Sequence, residues 1–337
     1  MPEPGGAELD TAQIASKIHL DVKGDLSKVK FSGAEARTTI TERLQSDREK
    51  LLQLPSHEEG MDMARIHTYR ERIGLPQKPI RVLSPEDYAK ALEITEKEEG
   101  TESGKYLPQQ DVIIVKRDPE SETINGGPEV TESLVVHEIA HSGNERSVIV
   151  TVKPTRRLIR KNKTYITSDT GRSGFMATKN GEPSGYLLEE GYAELERGKY
   201  VVEELGKPEG FAGRFVQDTP TPFDKYTYNN KDDEGKVTSS IPNGAPAAAM
   251  FELIAEYDPE FLSALREGRR SVQGLREVAR RLNAISPTLY MELRRIDIRE
   301  QEGRIEAINM NKKVKDILEA RKATSQAQPA IEHNNSS

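Results

Sequence analysis

Residues Thr131–Gly143 read TESLVVHEIAHSG, and the rest of the chain is best understood outward from this stretch. It contains His137, Glu138 and His141 as H-E-x-x-H. On a helix the two histidines lie one turn apart on one face, where both imidazoles can reach a single metal ion, with Glu138 beside them. Leu134, Val135, Val136, Ile139 and Ala140 supply an apolar helix body. Pro128 with the Thr131 and Ser133 hydroxyls offers a capped start, and Gly143 a stop.

Composition narrows the chemistry. The 337 residues contain six histidines and no cysteine, so a metal must be held by His, Asp or Glu, the donor set typical of catalytic zinc. Charged residues make up 31% of the chain, yet the formal net charge is -7 and the sequence pI near 5.6. That balance gives no general attraction to nucleic acid or to an anionic membrane. Aromatics at 5% and the absence of tryptophan argue against a stacking platform for single strands. No apolar run approaches a spanning helix and the N-terminus lacks the pattern of a secretory signal, so a cytoplasmic location is expected. P-loop, Rossmann and G-x-S-x-G patterns are missing as well.

Before the motif, residues 1–25 show little periodicity and are expected to be disordered. Helices are expected over Ser32–Leu54 and Glu58–Ile73, the latter stopped by Gly74 and Pro76. His57 and His67 lie here without a second donor at ligand spacing, and His333 sits in a polar tail. Ile80–Leu83 reads as a strand, Ser84-Pro85 as the cap of a helix running to about Lys97, and Asp111–Lys116 as a β-branched strand. Strand, helix, strand and motif helix together imply a small mixed α/β layer.

After the motif, Ser147–Lys153 is a strand candidate. The basic run Arg156–Lys163 is read as a solvated loop or hairpin tip, or as a positive rim that attracts acidic substrate segments. Residues 144–185 read as β-hairpins, with an Asn180-Gly181 turn, inserted between two helices. Leu187–Leu205 is helical in pattern although Gly191 and Gly198 interrupt it, and Gly206–Asn243 is expected to be largely loop. Helices are then expected over Ala245–Tyr257, Pro259–Gly268, Val272–Ala284 and Pro287–Ala320. The fold class is therefore α+β: a catalytic lobe at 26–205 with a small mixed sheet, a loop plus helical lobe at 206–320, and a disordered tail at 321–337.

Two histidines are too few for a catalytic zinc, which takes three protein ligands and leaves a position open for water. The metzincin extension fails, because positions 144 and 147 are Asn144 and Ser147. Downstream, Tyr186–Glu194 reads YLLEEGYAE. This segment resembles the second metal motif of the gluzincins, the thermolysin-like and aminopeptidase-like zinc peptidases, in which a helical glutamate follows H-E-x-x-H.

The resemblance covers residues 131–143 and 186–194 and implies a zincin-like core. It places Glu190 at the third ligand position with Glu189 as fallback, and Glu194 behind His137 as the acid that orients its ring. It implies Zn2+ on His137, His141 and Glu190, Glu138 as general base, and a peptide or protein substrate. An oxyanion donor is expected after the third ligand, with Tyr226 and Tyr228 as candidates, and Asp111–Lys116 is expected to be the edge strand that pairs with substrate. The alternative is a zincin-like binding or regulatory module without turnover. Retention of Glu138 favours the enzyme.

Overall fold

The computed structural model describes residues 18–22, 33–97, 103–143, 146–155, 163–179, 182–213, 221–231 and 234–327. The chain runs through β1 (Ile18–Val22), α1 (Gly33–Gln53), α2 (Met63–Arg72), β2 (Ile80–Leu83) and α3 (Pro85–Ile94). It continues with β3 (Gly104–Leu107), β4 (Val112–Lys116), α4 (Pro119–Asn125) and α5 (Glu129–Ser142), the helix of the histidine motif. β5 (Arg146–Thr155), β6 (Lys163–Ser173), β7 (Met176–Lys179) and β8 (Glu182–Ser184) then lead to α6 (Tyr186–Glu203). The last part holds β9 (Tyr228–Lys231), β10 (Val237–Ser240), α7 (Ala245–Tyr257), α8 (Phe261–Arg270), α9 (Val272–Ile285), α10 (Leu289–Arg295) and α11 (Gln301–Ala327). The architecture is α+β, mainly helical towards the C-terminus.

The small sheet has the order β2-β4-β3, parallel between β2 and β4 and antiparallel between β4 and β3. β4 is therefore the centre, not the edge expected for Asp111–Lys116. Its β-branched run follows from burial on both faces. Ile113 and Val115 pack with Ile66, Tyr69, Val135, Val136 and Ile139 of α2 and α5, while Val112 and Ile114 pack with Leu51, Tyr88, Ala91 and Leu92 of α1 and α3.

The hairpins between α5 and α6 belong to a second sheet of order β1-β5-β6-β7-β8. Val148, Val150 and Val152 of β5 pack against Ala36, Ile40 and Leu44 of α1. β1 falls within the N-terminal segment expected to be disordered, and pairs parallel with β5 from Ile18↔Val148 to Val22↔Val152. The core of the basic run, 156–162, and the Asn180-Gly181 turn lie outside the described residues.

The largest core joins α6 to α7, α8, α9, α10 and α11, with Leu188, Tyr192, Leu195, Phe251, Phe261, Leu265, Leu282 and Leu293 buried. Gly191 stays inside α6, because a Cβ there would lie 2.4 Å from Cβ of Ala247 on α7. Its missing side chain sets how closely α7 can approach. α11 runs on to Ala327, into the segment expected to be a disordered tail.

Candidate metal centre

α5 lies between the small sheet and α6, and nearly all its residues are buried, in keeping with an apolar helix enclosed on most sides. Its start differs from expectation. Pro128 occupies the cap position with no side-chain cap bond. Thr131 Oγ1 instead donates to Glu122 Oε1 at 2.8 Å, and Ser133 Oγ to the Val130 carbonyl at 2.7 Å. Gly143 follows the last helical residue, and a Cβ there would collide with Leu75.

Where α5 meets α6, three side chains converge. His137 Nε2 and His141 Nε2 are 3.2 Å apart. Glu190 Oε2 lies 3.3 Å from His137 Nε2, and Glu190 Oε1 lies 3.5 Å from His141 Nε2. A tetrahedral zinc with ligand bonds of about 2.0–2.1 Å requires donor atoms about 3.3–3.4 Å from one another. The distances are near that value but reach the two histidines from different Glu190 oxygens. Taken as one ligand atom from each residue, the three atoms lie within 4.8 Å of one another, and these side chains form the group capable of holding a metal among the described residues.

The other ring nitrogens are held by carboxylates. Glu194 Oε1 lies 3.0 Å from His137 Nδ1, and Glu189 Oε1 lies 2.9 Å from His141 Nδ1. A proton on His141 Nδ1 would then be shared with Glu189, while the Glu194 contact of His137 Nδ1 is a close ion-pair distance without hydrogen-bond geometry; in both rings the Nε2 lone pair is left for a cation. Glu189, the fallback ligand, therefore turns away from the Nε2 atoms and serves His141 from behind.

Each of these carboxylates is matched by a buried guanidinium. Arg269 of α8 donates from Nη2 to Glu189 Oε1 at 2.6 Å and from Nε to Oε2 at 3.3 Å, also reaches the Ala140 carbonyl, and stacks 4.0 Å from the Tyr192 ring centre. The Phe175 amide adds a bond of 3.0 Å to Glu189 Oε2. Arg197 donates from Nη1 to both oxygens of Glu194 at 3.3 and 3.2 Å, and from Nε to Ser133 Oγ at 3.2 Å. With those two pairs balanced, Glu138 and Glu190 remain. In the metal-free protein protons on the histidines offset these charges, and a divalent cation would take the place of those protons.

Proton affinities follow the same geometry. Burial disfavours the charged form of His137, but Glu190 and Glu194 outweigh it and raise its pKa to about 9. Burial also works against an ionised Glu189, yet Arg269 and His141 bring it down to about 2. Glu190 is lowered in the same way by the two histidines, against the effect of burial. Glu138 differs: burial pushes it up, against the opposing pull of His137 and His141. Its Oε2 accepts the Tyr106 N–H of β3 at 2.7 Å.

The two expected oxyanion donors differ in exposure. Tyr226 is fully buried on Gly198, with its hydroxyl beside Glu252 of α7. The Tyr228 ring lies 5.4 Å from the Arg197 guanidinium and is half-buried. Among the described residues, no hydrogen bond joins either hydroxyl to His137, Glu138, His141 or Glu190. Sequence reasoning missed Arg197, Arg269 and the Tyr106 amide. Arg197, one turn after Glu194 on the same helix, was legible; Arg269 and Tyr106 arrive from distant elements.

No family model, curated protein or solved structure matches this chain. The assignment of the site therefore stands on its own residues.

Proposed function

We propose that the protein is a zinc-dependent peptidase with a zincin-like core of gluzincin type. The observation that carries this is the convergence of His137, His141 and Glu190 at 3.2–3.5 Å, with Glu138 on the same helix. Zn2+ held there would supply a Lewis acid that polarises a peptide carbonyl and lowers the pKa of a water to about 7. Glu138 would act as the general base that accepts a proton from water and passes it to the departing amine as the C–N bond breaks. Burial, which raises its pKa, favours a carboxylate able to hold the proton between the two transfers.

An extended peptide is the substrate class that suits the site. Among the described residues β3 has β4 as its one strand neighbour, and on the side away from β4 its Tyr106 N–H meets Glu138. A peptide lying along this strand would pass Glu138. Tyr228 is the better placed of the two oxyanion candidates, because it is partly exposed while Tyr226 is enclosed.

The test is cleavage of a mixed peptide library by the zinc-loaded protein, followed by mass spectrometry. Glu138→Gln should lower turnover by about 10²–10⁴-fold. Cleavage that is unchanged in this variant, or absent from the wild type, would remove the proposal.

A further inference from the structure

We propose that Gly104 is a positioning residue for Glu138: its missing side chain forms the seat of the carboxylate, and the Tyr106 amide fastens it there. This rests on the assignment of Glu138 as general base.

The register of β3 decides which backbone groups face β4 and which face away from it. Ser103 O accepts Lys116 N–H and Leu107 O accepts Asp111 N–H, both at 2.7 Å, so these positions face β4. In an antiparallel pair the intervening residues face the other way. Gly104 and Tyr106 thus direct their backbone groups away from β4, and there Tyr106 N–H donates to Glu138 Oε2 at 2.7 Å. One oxygen is anchored, and Oε1 is left for a proton.

The seat is narrow. A Cβ at position 104 would stand 2.9 Å from both Cγ and Oε1 of Glu138 and 3.2 Å from its Cδ. Glycine here leaves room for the acid, although its φ does not require one. The strand that carries the seat is itself fixed. Tyr106 Oη donates to Asp111 Oδ1 at 2.7 Å, Lys78 Nζ lies 2.7 Å from Asp111 Oδ2, and Arg48 Nη1 donates to the carbonyls of Gln110 and Asp111 at 2.8 Å each. Asp111 turns the chain with φ of 59°. β3 therefore cannot easily yield to an added methyl. The Glu138 side chain is flexible and must move instead.

The experiment is a double-mutant cycle on the zinc-loaded full chain, with kcat and KM measured on one peptide of the library. Gly104→Ala should keep zinc and thermal stability, leave KM within about twofold and lower kcat about tenfold or more, because a displacement of about an ångström is costly to proton transfer. Glu138→Asp should lower kcat in the wild type yet raise it in Gly104→Ala, where the shorter side chain withdraws from the methyl. Wild-type kcat in Gly104→Ala, or an equal loss from Glu138→Asp in both backgrounds, would overturn the proposal.

A second readout is independent of turnover. In protein labelled with 15N at tyrosine, the Tyr106 amide proton, identified through Tyr106→Phe, should move upfield in Glu138→Ala and in Gly104→Ala. An unmoved resonance in Gly104→Ala would also overturn the proposal, including when Gly104→Ala is too unstable for kinetics. If the wild type shows no Glu138-dependent cleavage, the peptidase assignment falls, while this resonance still decides the seat.

Discussion

Glu189 Oε1 lies 2.9 Å from His141 Nδ1, and the same oxygen receives Arg269 Nη2 at 2.6 Å. His137 has a matching arrangement in Glu194 and Arg197. Both imidazoles are thus oriented by a carboxylate whose charge is already balanced, so the pair can be aimed at one point without an uncompensated buried ion. The linkage also ties the C-terminal lobe to the centre, since Arg269 belongs to α8.

Substituting the orienting acid should weaken the centre without abolishing it. Glu189→Gln is expected to lower zinc affinity about 10–100-fold, read by competition with a chromophoric chelator. It should also destabilise the fold by about 3–5 kcal/mol in urea denaturation, because Arg269 is then buried without its charge partner. Unchanged affinity in a folded variant would show that Glu189 does not orient His141.

The raised pKa of His137 gives a pH dependence with a definite sign. In the metal-free protein its folded value is about 9, against 6.5 ordinarily. Its contribution to stability is therefore fully present below about 6.5 and lost as pH rises through about 9. Zinc competes with that proton, so apparent affinity should rise with pH until about 9, with proton uptake by buffer visible in calorimetry. A melting temperature of the metal-free protein that is flat between pH 6.5 and 9 would contradict this.

The two tyrosines should separate in kinetics. Tyr228→Phe is expected to lower kcat by about 10²-fold with little change in KM, the behaviour of a lost oxyanion donor. Tyr226→Phe should leave kcat within about twofold, because that hydroxyl is enclosed beside Glu252. Near wild-type kcat for Tyr228→Phe would remove it from the mechanism.

Close packing of α6 on α7 should be sensitive at one residue. Gly191→Ala places a methyl 2.4 Å from the Ala247 Cβ, next to the proposed ligand Glu190, and should cost about 1–3 kcal/mol of stability. Chemical denaturation measures it, and a loss below about 0.5 kcal/mol would mean that α7 shifts freely.

The parts of the site that were legible in sequence share one property: their partners lie one helical turn away. His137 and His141 on α5, and Glu190 with Glu194 on α6, keep their relation whatever the tertiary fold. The roles of Glu189 and Arg269 depend on how α5, α6 and α8 meet, and no spacing within the chain encodes that. β3 was missed for a similar reason: GKYL has little strand character of its own, and pairing with β4 makes it a strand.

Boundaries moved where local bonds overrode periodicity. α2 begins at Met63 because Asp62 caps it by accepting Arg65 N–H at 2.9 Å, while the preceding segment is drawn to β2 by the bond from His57 N–H to Val82 O at 2.7 Å. The expected helix over Pro287–Ala320 breaks into α10 and α11. Asp297 Oδ1 accepts Arg299 N–H at 3.1 Å and its carbonyl accepts Glu300 N–H at 3.2 Å, a side-chain turn that interrupts the helix.

The central claim is that His137, His141 and Glu190 hold a divalent metal. Its most direct test is metal content by mass spectrometry of the purified, zinc-equilibrated protein and of Glu190→Gln. About one zinc per chain in the wild type, and a loss of most of it in a folded Glu190→Gln, is the expected result. Zinc-free wild type, or a Glu190→Gln variant that retains the full amount, would contradict it.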